Sequence, residues 1–358
     1  MTVISVEVSP RSYDVLVGPV EAGIERIVDM AGNSAPVLVS EPRVFALHGA
    51  RVAEVLGARP LLVAEGEAAK GWNELHKLLT AFSEHNISRD TPIVACGGGS
   101  VGDLVGLGAS LFKRGCPVVH IPTTLLSQAD SAVGGKTAID AFGEKNLIGT
   151  FHQPALVVAD PAFLDTLDER QVRSGYAEIV KYGLIDDPAL FAWCEINGCG
   201  VLAAHRDLRE QAICSAIRAK ARIVAADVTD RSGQRALLNL GHSFAHAIEA
   251  EAGLGSVLHG EAVALGMALA FRLSSELGHC PASDTDRVIA HFVDAGLPIR
   301  LAGLGLAGRG QRLVAWMRGD KKNAAGKIAL VLTHGIGRAY LERSVDERRL
   351  AAFLDRAA

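Results

Sequence analysis

The segment Ile93-Val-Ala-Cys-Gly-Gly-Gly-Ser-Val-Gly-Asp103 decides the fold. Four apolar residues run into three glycines, and an apolar, helix-like stretch, Leu104 to Leu111, follows at once. A strand, a glycine turn and a helix in that order form the βα half of a parallel-sheet unit. Consecutive glycines let backbone N–H groups approach a pyrophosphate without Cβ hindrance, and the start of the helix adds a favourable dipole. The loop is therefore expected to hold phosphate oxygens.

Outward from this loop, further strand-length runs stand at Val3 to Val8, Val15 to Val17, Pro36 to Ser40, Pro60 to Ala64, Pro117 to Ile121 and Ala155 to Ala159. Segments between them, such as Asn73 to Asn86, carry apolar residues at helical spacing, and that alternation predicts a largely parallel sheet. Pro122-Thr-Thr-Leu-Leu-Ser-Gln-Ala-Asp130 follows one of these strands and sets two hydroxyls and a carboxylate at its C-terminal end, where open parallel sheets gather ligands. Past Leu167 the pattern turns helical, with stretches at Ser174 to Gly183, Pro188 to Trp193, Asp207 to Ala226, Ala236 to Gly253, Gly260 to Leu277 and Ala282 to Ala295. One late hairpin is expected, Lys327 to Thr333 with Gly337 to Leu341. The predicted class is α/β: a parallel-sheet domain over 1–167, then an α-helical domain over 168–358, with the active site expected in the cleft between them.

Composition narrows the function classes. A net charge of -4, without a long lysine or arginine run, gives no electrostatic footprint for nucleic acid. Apolar stretches are broken by Gly, Ser or charge well short of a bilayer span, so no membrane segment is expected. The six cysteines show no C-x-x-C spacing, and Met1-Thr-Val-Ile-Ser-Val has no basic leader pattern, which points to reduced thiols in the cytoplasm.

A metal site is suggested by Asn239-Leu-Gly-His-Ser-Phe-Ala-His246, by His259 in Leu258-His-Gly-Glu-Ala, and by Glu178 in a predicted helix. Two imidazoles and one carboxylate leave zinc an open fourth position, the pattern of a catalytic centre. From spacing alone, His242 and His246 share a helix face and form the natural pair. Cations stand in or beside the same segments: Lys113, Arg114, Lys136, Lys145, Lys181, Lys220, Arg235, Lys321 and Lys322. Several have apolar neighbours, and a lysine in a buried stretch is costly unless paired, so a small anionic substrate with carboxylate and phosphate groups is expected.

These motifs together resemble the 3-dehydroquinate synthases of the sugar-phosphate cyclase superfamily. The resemblance spans nearly the whole chain and rests on Gly97-Gly-Gly-Ser-Val-Gly-Asp103, Lys113-Arg-Gly115, Pro122 to Thr137, Glu144-Lys-Asn146, Gly175 to Gly183, Arg235 to His242, His259-Gly-Glu261 and Asp320-Lys-Lys322. It implies NAD and Zn2+, with Co2+ as an alternative ion, a homodimer, and a phosphorylated keto acid as substrate. The implied reaction is transient oxidation, β-elimination of phosphate, reduction and intramolecular aldol closure.

By position, the resemblance makes Glu178, His242 and His259 the metal ligands and moves His246 to the substrate phosphate. Asp130, Lys136, Lys181, Arg235, Asn239 and His246 match its catalytic set. Asn146, Lys220, Lys321 and Lys322 match substrate contacts, and Arg114 would reach the substrate of a neighbouring subunit. Glu67, Lys70, Gly97, Gly98, Gly99, Ser100, Asp103, Thr123, Thr124, Leu126, Lys145, Thr166 and Leu167 match the cofactor site. Gln171 replaces a common acid, Glu41 and Arg43 replace an Asp-x-Asn, and Ser243 and Ala245 replace Thr and Gly. The competing expectations are a sister cyclase making an aminated or valiolone-type ring, a glycerol-dehydrogenase-like oxidoreductase, and a degenerate binding protein. The last predicts lost ligands, whereas all three are present.

Overall fold

The computed structural model describes residues 1–9, 11–32, 34–228, 230, 235–253, 255–318, 328–343 and 345–357. Contacts divide the chain into two units: Met1–Asp168 with Arg209–Thr229, and Glu169–Leu208 with Asp230–Ala358.

The first unit is built on strands β1 (Thr2–Val6), β2 (Tyr13–Val17), β3 (Val37–Ser40), β4 (Arg59–Leu62), β5 (Ile93–Gly97), β6 (Val118–Pro122), β7 (Lys136–Ala141), β8 (Glu144–Phe151) and β9 (Leu156–Ala159). Seven of them form one sheet in the order β1-β2-β9-β6-β5-β3-β4. Only the β1 to β2 pairing in this sheet is antiparallel. Strands β3, β5, β6 and β9 are buried along their whole length, as expected for parallel strands covered on both faces. Leu78, Phe82, Val101, Leu104 and Val105 pack in one apolar cluster with Val37, Val39 and Ile93; Val20, Ile27, Val52 and Leu56 pack in another with Leu38, Val94 and Ile121. From β3 the chain moves to β4 at the edge and then returns across β3 to β5. The C-terminal ends of β3 and β5 are therefore a topological switch point, the usual ligand position in such sheets.

All seven runs expected from the sequence are strands of this sheet, with ends shifted by one or two residues. The antiparallel pair β7 and β8 was not anticipated. It lies between the Pro122 to Asp130 segment and β9, and β8 is mostly exposed.

The second unit is helical. Its helices include Glu169–Ile185, Pro188–Leu202, His242–Ala252, His259–Glu276, Ala282–Asp294, Gly310–Arg318 and Glu347–Arg356. The hairpin expected late in the chain is β10 (Leu330–Thr333) with β11 (Ala339–Glu342); Lys327, its expected first residue, lies outside the described residues. The continuous helix expected over Ala236 to Gly253 is instead a 3-10 turn, Arg235–Asn239, and an α-helix starting at His242. Gly241 breaks them apart with φ +79°, a left-handed conformation natural to glycine.

Candidate metal centre and cofactor loop

In the second unit, Glu178 lies in the middle of the Glu169–Ile185 helix and is 0% exposed. His242 and His259 are the first residues of two further helices, so each imidazole stands at a helix start. Glycine contacts make this approach feasible. A Cβ on Gly260 would sit 1.9 Å from the Ser174 carbonyl oxygen, four residues before Glu178. On Gly266 it would sit 2.1 Å from the Gly241 carbonyl oxygen, next to His242. The backbones touch, and the ligand-bearing ends are brought together.

His242 Nε2 and His259 Nε2 stand 3.6 and 3.5 Å from Glu178 Oε1. Zinc bonds of about 2.0–2.1 Å at tetrahedral angles give a donor-to-donor edge of about 3.3 Å. The three donors lie within 4.8 Å of one another, and this is the one such group of His, Cys, Asp or Glu among the described residues. The donor set therefore fits a tetrahedral divalent ion with one position open. Nδ1 of His242 faces the Leu240 carbonyl at 3.3 Å, and Nδ1 of His259 faces Glu249 Oε2 at 3.4 Å. Such outer partners hold the proton on Nδ1 and leave Nε2 as the ligand nitrogen.

His246, paired with His242 on spacing, has its ring centroid 5.9 Å from that of His242 and 6.5 Å from that of His259, and it is exposed. It is not in the donor group. Periodicity sees one helix face, whereas the third donor arrives from another helix. Glu249 was missed as well, although it lies on the His242 helix seven residues on, two turns along the same side.

Burial disfavours charge on His259, but its contacts with Glu178 and Glu249 outweigh that effect and push its pKa up to about 9. At neutral pH the metal-free imidazole carries a proton that an incoming cation must displace. Proton release on Zn2+ loading is expected to fall by about one proton per ion as the pH rises through that value. Calorimetric titration in buffers of different ionisation enthalpy measures the count. A count unchanged between neutral pH and roughly pH 10 would contradict the assignment.

One turn beyond Glu178, Lys181 is 2% exposed and its Nζ lies 2.5 Å from Glu178 Oε2. Arg235, also buried, opens the 3-10 turn that holds Asn239, whose amide donates to the Ala236 carbonyl at 3.1 Å. Lys321 and Lys322 lie outside the described residues.

In the first unit, Gly97, Gly98 and Gly99 join β5 to the Gly99–Leu111 helix at the switch point. A Cβ on Gly97 would meet Val101 at 2.7 Å, one on Gly98 would meet Thr124 at 3.3 Å, and one on Gly99 would meet Ser131 at 3.2 Å. Gly98 brings no capping side chain to the helix start, so the arrangement suits an anion such as a pyrophosphate. The Thr123 N–H donates to the Gly97 carbonyl at 3.0 Å, which ties the end of β6 to this loop, and Thr124 shares a 2.7 Å hydroxyl contact with Ser127. Leu126 is half-buried in the same turn. Ser100 donates to Glu67 at 3.1 Å, and Lys145 lies 3.8 Å from Glu67. Buried Lys70 pairs with Asp103 at 2.7 Å and donates to the Asn146 side chain. Burial opposes charge on Lys70, but Asp103, Glu67 and Asp140 raise its pKa, which keeps it an ammonium. Thr166 contacts His48 at 2.8 Å, and Leu167 adjoins it.

Lys220, on the Arg206–Ala226 helix, forms an ion pair with Asp130 and donates to its carbonyl at 2.7 Å. Lys136, the first residue of β7, is exposed despite its apolar neighbours in sequence. Arg114 is exposed in a turn where Lys113 and Arg114 have φ of +47° and +64°.

The family described as 3-dehydroquinate synthase N-terminal matches residues 60–174, and the family described as 3-dehydroquinate synthase C-terminal matches 175–323. A 3-dehydroquinate synthase of Zymomonas mobilis is 49% identical over 296 residues, covering 82% of this chain and 78% of the relative. A solved 2-epi-5-epi-valiolone synthase of Streptomyces hygroscopicus, with NAD+ and Zn2+ bound, is similar at TM-score 0.84 and 30% identity over 97% of both chains. A 2-deoxy-scyllo-inosose synthase complexed with carbaglucose-6-phosphate, NAD+ and Co2+ shares the fold at TM-score 0.85, with 24% identity and full coverage of both chains.

Proposed function

The chain belongs to the 3-dehydroquinate synthase family, and from that premise we propose that it converts 3-deoxy-arabino-heptulosonate 7-phosphate to 3-dehydroquinate and phosphate, a step of the shikimate pathway. The observation that carries this reading is the Glu178, His242 and His259 donor group, with buried Lys181 on the same helix as the carboxylate. NAD and zinc are the cofactors. When bound, they supply reversible hydride transfer and Lewis-acid polarisation of substrate oxygens.

The residues themselves bind and orient. Lys181 neutralises the buried Glu178 carboxylate and keeps Oε1 turned toward the two imidazoles. In the second unit we assign Arg235, Asn239 and His246 to the substrate, with Lys321 or Lys322. Arg235 offers the planar fork that suits a carboxylate, and exposed His246 can hold or pass a proton at the leaving phosphate. In the first unit we assign Asp130, Lys136, Asn146 and Lys220 to the substrate. The Gly97 to Ser100 loop, Glu67, Lys70, Asp103, Thr123, Thr124, Leu126, Lys145, Thr166 and Leu167 are assigned to NAD. The Lys220 ion pair holds the Asp130 carboxylate as an acceptor for a substrate hydroxyl.

A homodimer is part of this reading, with exposed Arg114 directed to the partner's substrate. We also place the enzyme in the cytoplasm. No helix among the described residues is long and apolar enough to cross a membrane.

The test is incubation of zinc-loaded protein with catalytic NAD and the heptulosonate phosphate, following phosphate and NADH. Many turnovers of phosphate release, abolished by chelator and without net NADH, are expected. Turnover of a sugar 7-phosphate in its place would move the chain to a sister cyclase. Stoichiometric NADH from a simple polyol would make it a dehydrogenase.

A further inference from the structure

Between β7 and β8 the ladder pairs Ile139 with Ile148 and then Ala141 with Glu144. Between those two rungs one residue of β7, Asp140, stands opposite three of β8: Lys145, Asn146 and Leu147. Such bulges re-aim groups away from the ladder. Here the Asp140 N–H donates to the Lys70 carbonyl at 2.8 Å, while its carboxylate Oδ1 accepts from the Asn146 N–H at 2.7 Å. Asn146 takes φ +52°, a left-handed conformation that asparagine tolerates better than most residues. Its side chain in turn accepts from the Lys70 ammonium, which also pairs with Asp103 on the glycine-loop helix. The tip has little apolar packing to hold it: Phe142 is 85% exposed, and residues 143–146 are exposed.

We propose that Asp140 is a positioning residue: by pinning the bulge it sets Asn146 for the phosphorylated substrate and ties that residue to the Lys70 and Asp103 side of the cofactor loop. This rests on the function proposed above for its substrate arm, but the contact itself is testable without turnover.

Asp140→Ala removes the acceptor, whereas Asp140→Asn keeps an acceptor oxygen and removes the charge. In the zinc-loaded protein, Asp140→Ala is expected to raise the substrate KM about tenfold, change kcat by less than about threefold and leave the NAD Kd within about threefold. Asp140→Asn is expected to stay within about threefold of the parent KM. Hydrogen exchange gives an activity-independent reading: the Asn146 amide should exchange faster in Asp140→Ala and near the parent rate in Asp140→Asn. Equal KM for the alanine variant and the parent, or unchanged Asn146 exchange, overturns the proposal. So does an equal fall of kcat and Tm in both variants, which would make Asp140 a scaffold residue. If the parent releases no phosphate, the function reading fails, and the exchange comparison still decides the Asp140 contact.

Discussion

Glu178→Gln is expected to lower phosphate release by roughly a thousand-fold, about 4 kcal/mol of lost transition-state stabilisation, while the fold survives. Glutamine matches the buried side chain in size, so the Glu169–Ile185 helix keeps its packing. What changes is charge. The carboxylate oxygen 3.5–3.6 Å from both imidazoles becomes a neutral amide group, a poor partner for a divalent ion. Lys181 loses the anion at 2.5 Å, and His259 loses one of the two carboxylates that raise its pKa. Metal content after dialysis, circular dichroism and phosphate release measure the three consequences. A variant that kept both its zinc and half of its activity would show that the ion is held elsewhere.

Gly260→Ala is expected to have the second-largest effect and to act by geometry alone. The added Cβ would lie 1.9 Å from the Ser174 oxygen and 2.5 Å from its carbonyl carbon, both backbone atoms that no side-chain rotation can move aside. The His259–Glu276 helix must shift away from the Glu169–Ile185 helix, and His259 moves with it. Overpacking of this kind costs about 3 kcal/mol of stability, and a first residue displaced by even part of an ångström should weaken zinc binding at least tenfold, roughly. Ala262→Gly, two positions along the same buried helix, is the comparison: it destabilises without displacing His259. Equal zinc affinity in Gly260→Ala and the parent would refute the role given to this contact.

Both variants bear on what the sequence could disclose. The seven sheet strands were legible because strands such as β5 and β6 are apolar runs buried on both faces and ended by Gly or Pro. The pair β7 and β8 escaped notice because β8 opens with Glu144, Lys145 and Asn146, three polar residues that face water rather than a core. The short helices Gly310–Arg318 and Glu347–Arg356 were not singled out either; both alternate charge with apolar residues over too few turns to stand out. At the metal centre, spacing could find His242 but chose His246 as its mate. The approach of His259 depends on two backbone contacts at Gly260 and Gly266, and those join residues far apart in sequence. The family motifs supplied what periodicity could not.

The connectivity of the two units bears on how the protein is made. The Arg206–Ala226 helix contributes most of its length to the first unit, where Arg209 meets Asp165 at 3.2 Å and Lys220 holds Asp130. A ribosome that has finished the seven-stranded sheet at Ala159 has therefore not finished the unit. It must first synthesise the Glu169–Ile185 and Pro188–Leu202 helices, which belong to the other unit, and then reach Ala226. During that interval the nascent chain holds the sheet without the Arg206–Ala226 helix, together with a Glu178 whose two histidine partners do not yet exist. Synthesis of the two units is thus interleaved along the chain, and a gene cut after residue 168 yields a fragment that lacks a helix of its own unit, with the Arg209 and Lys220 contacts it brings.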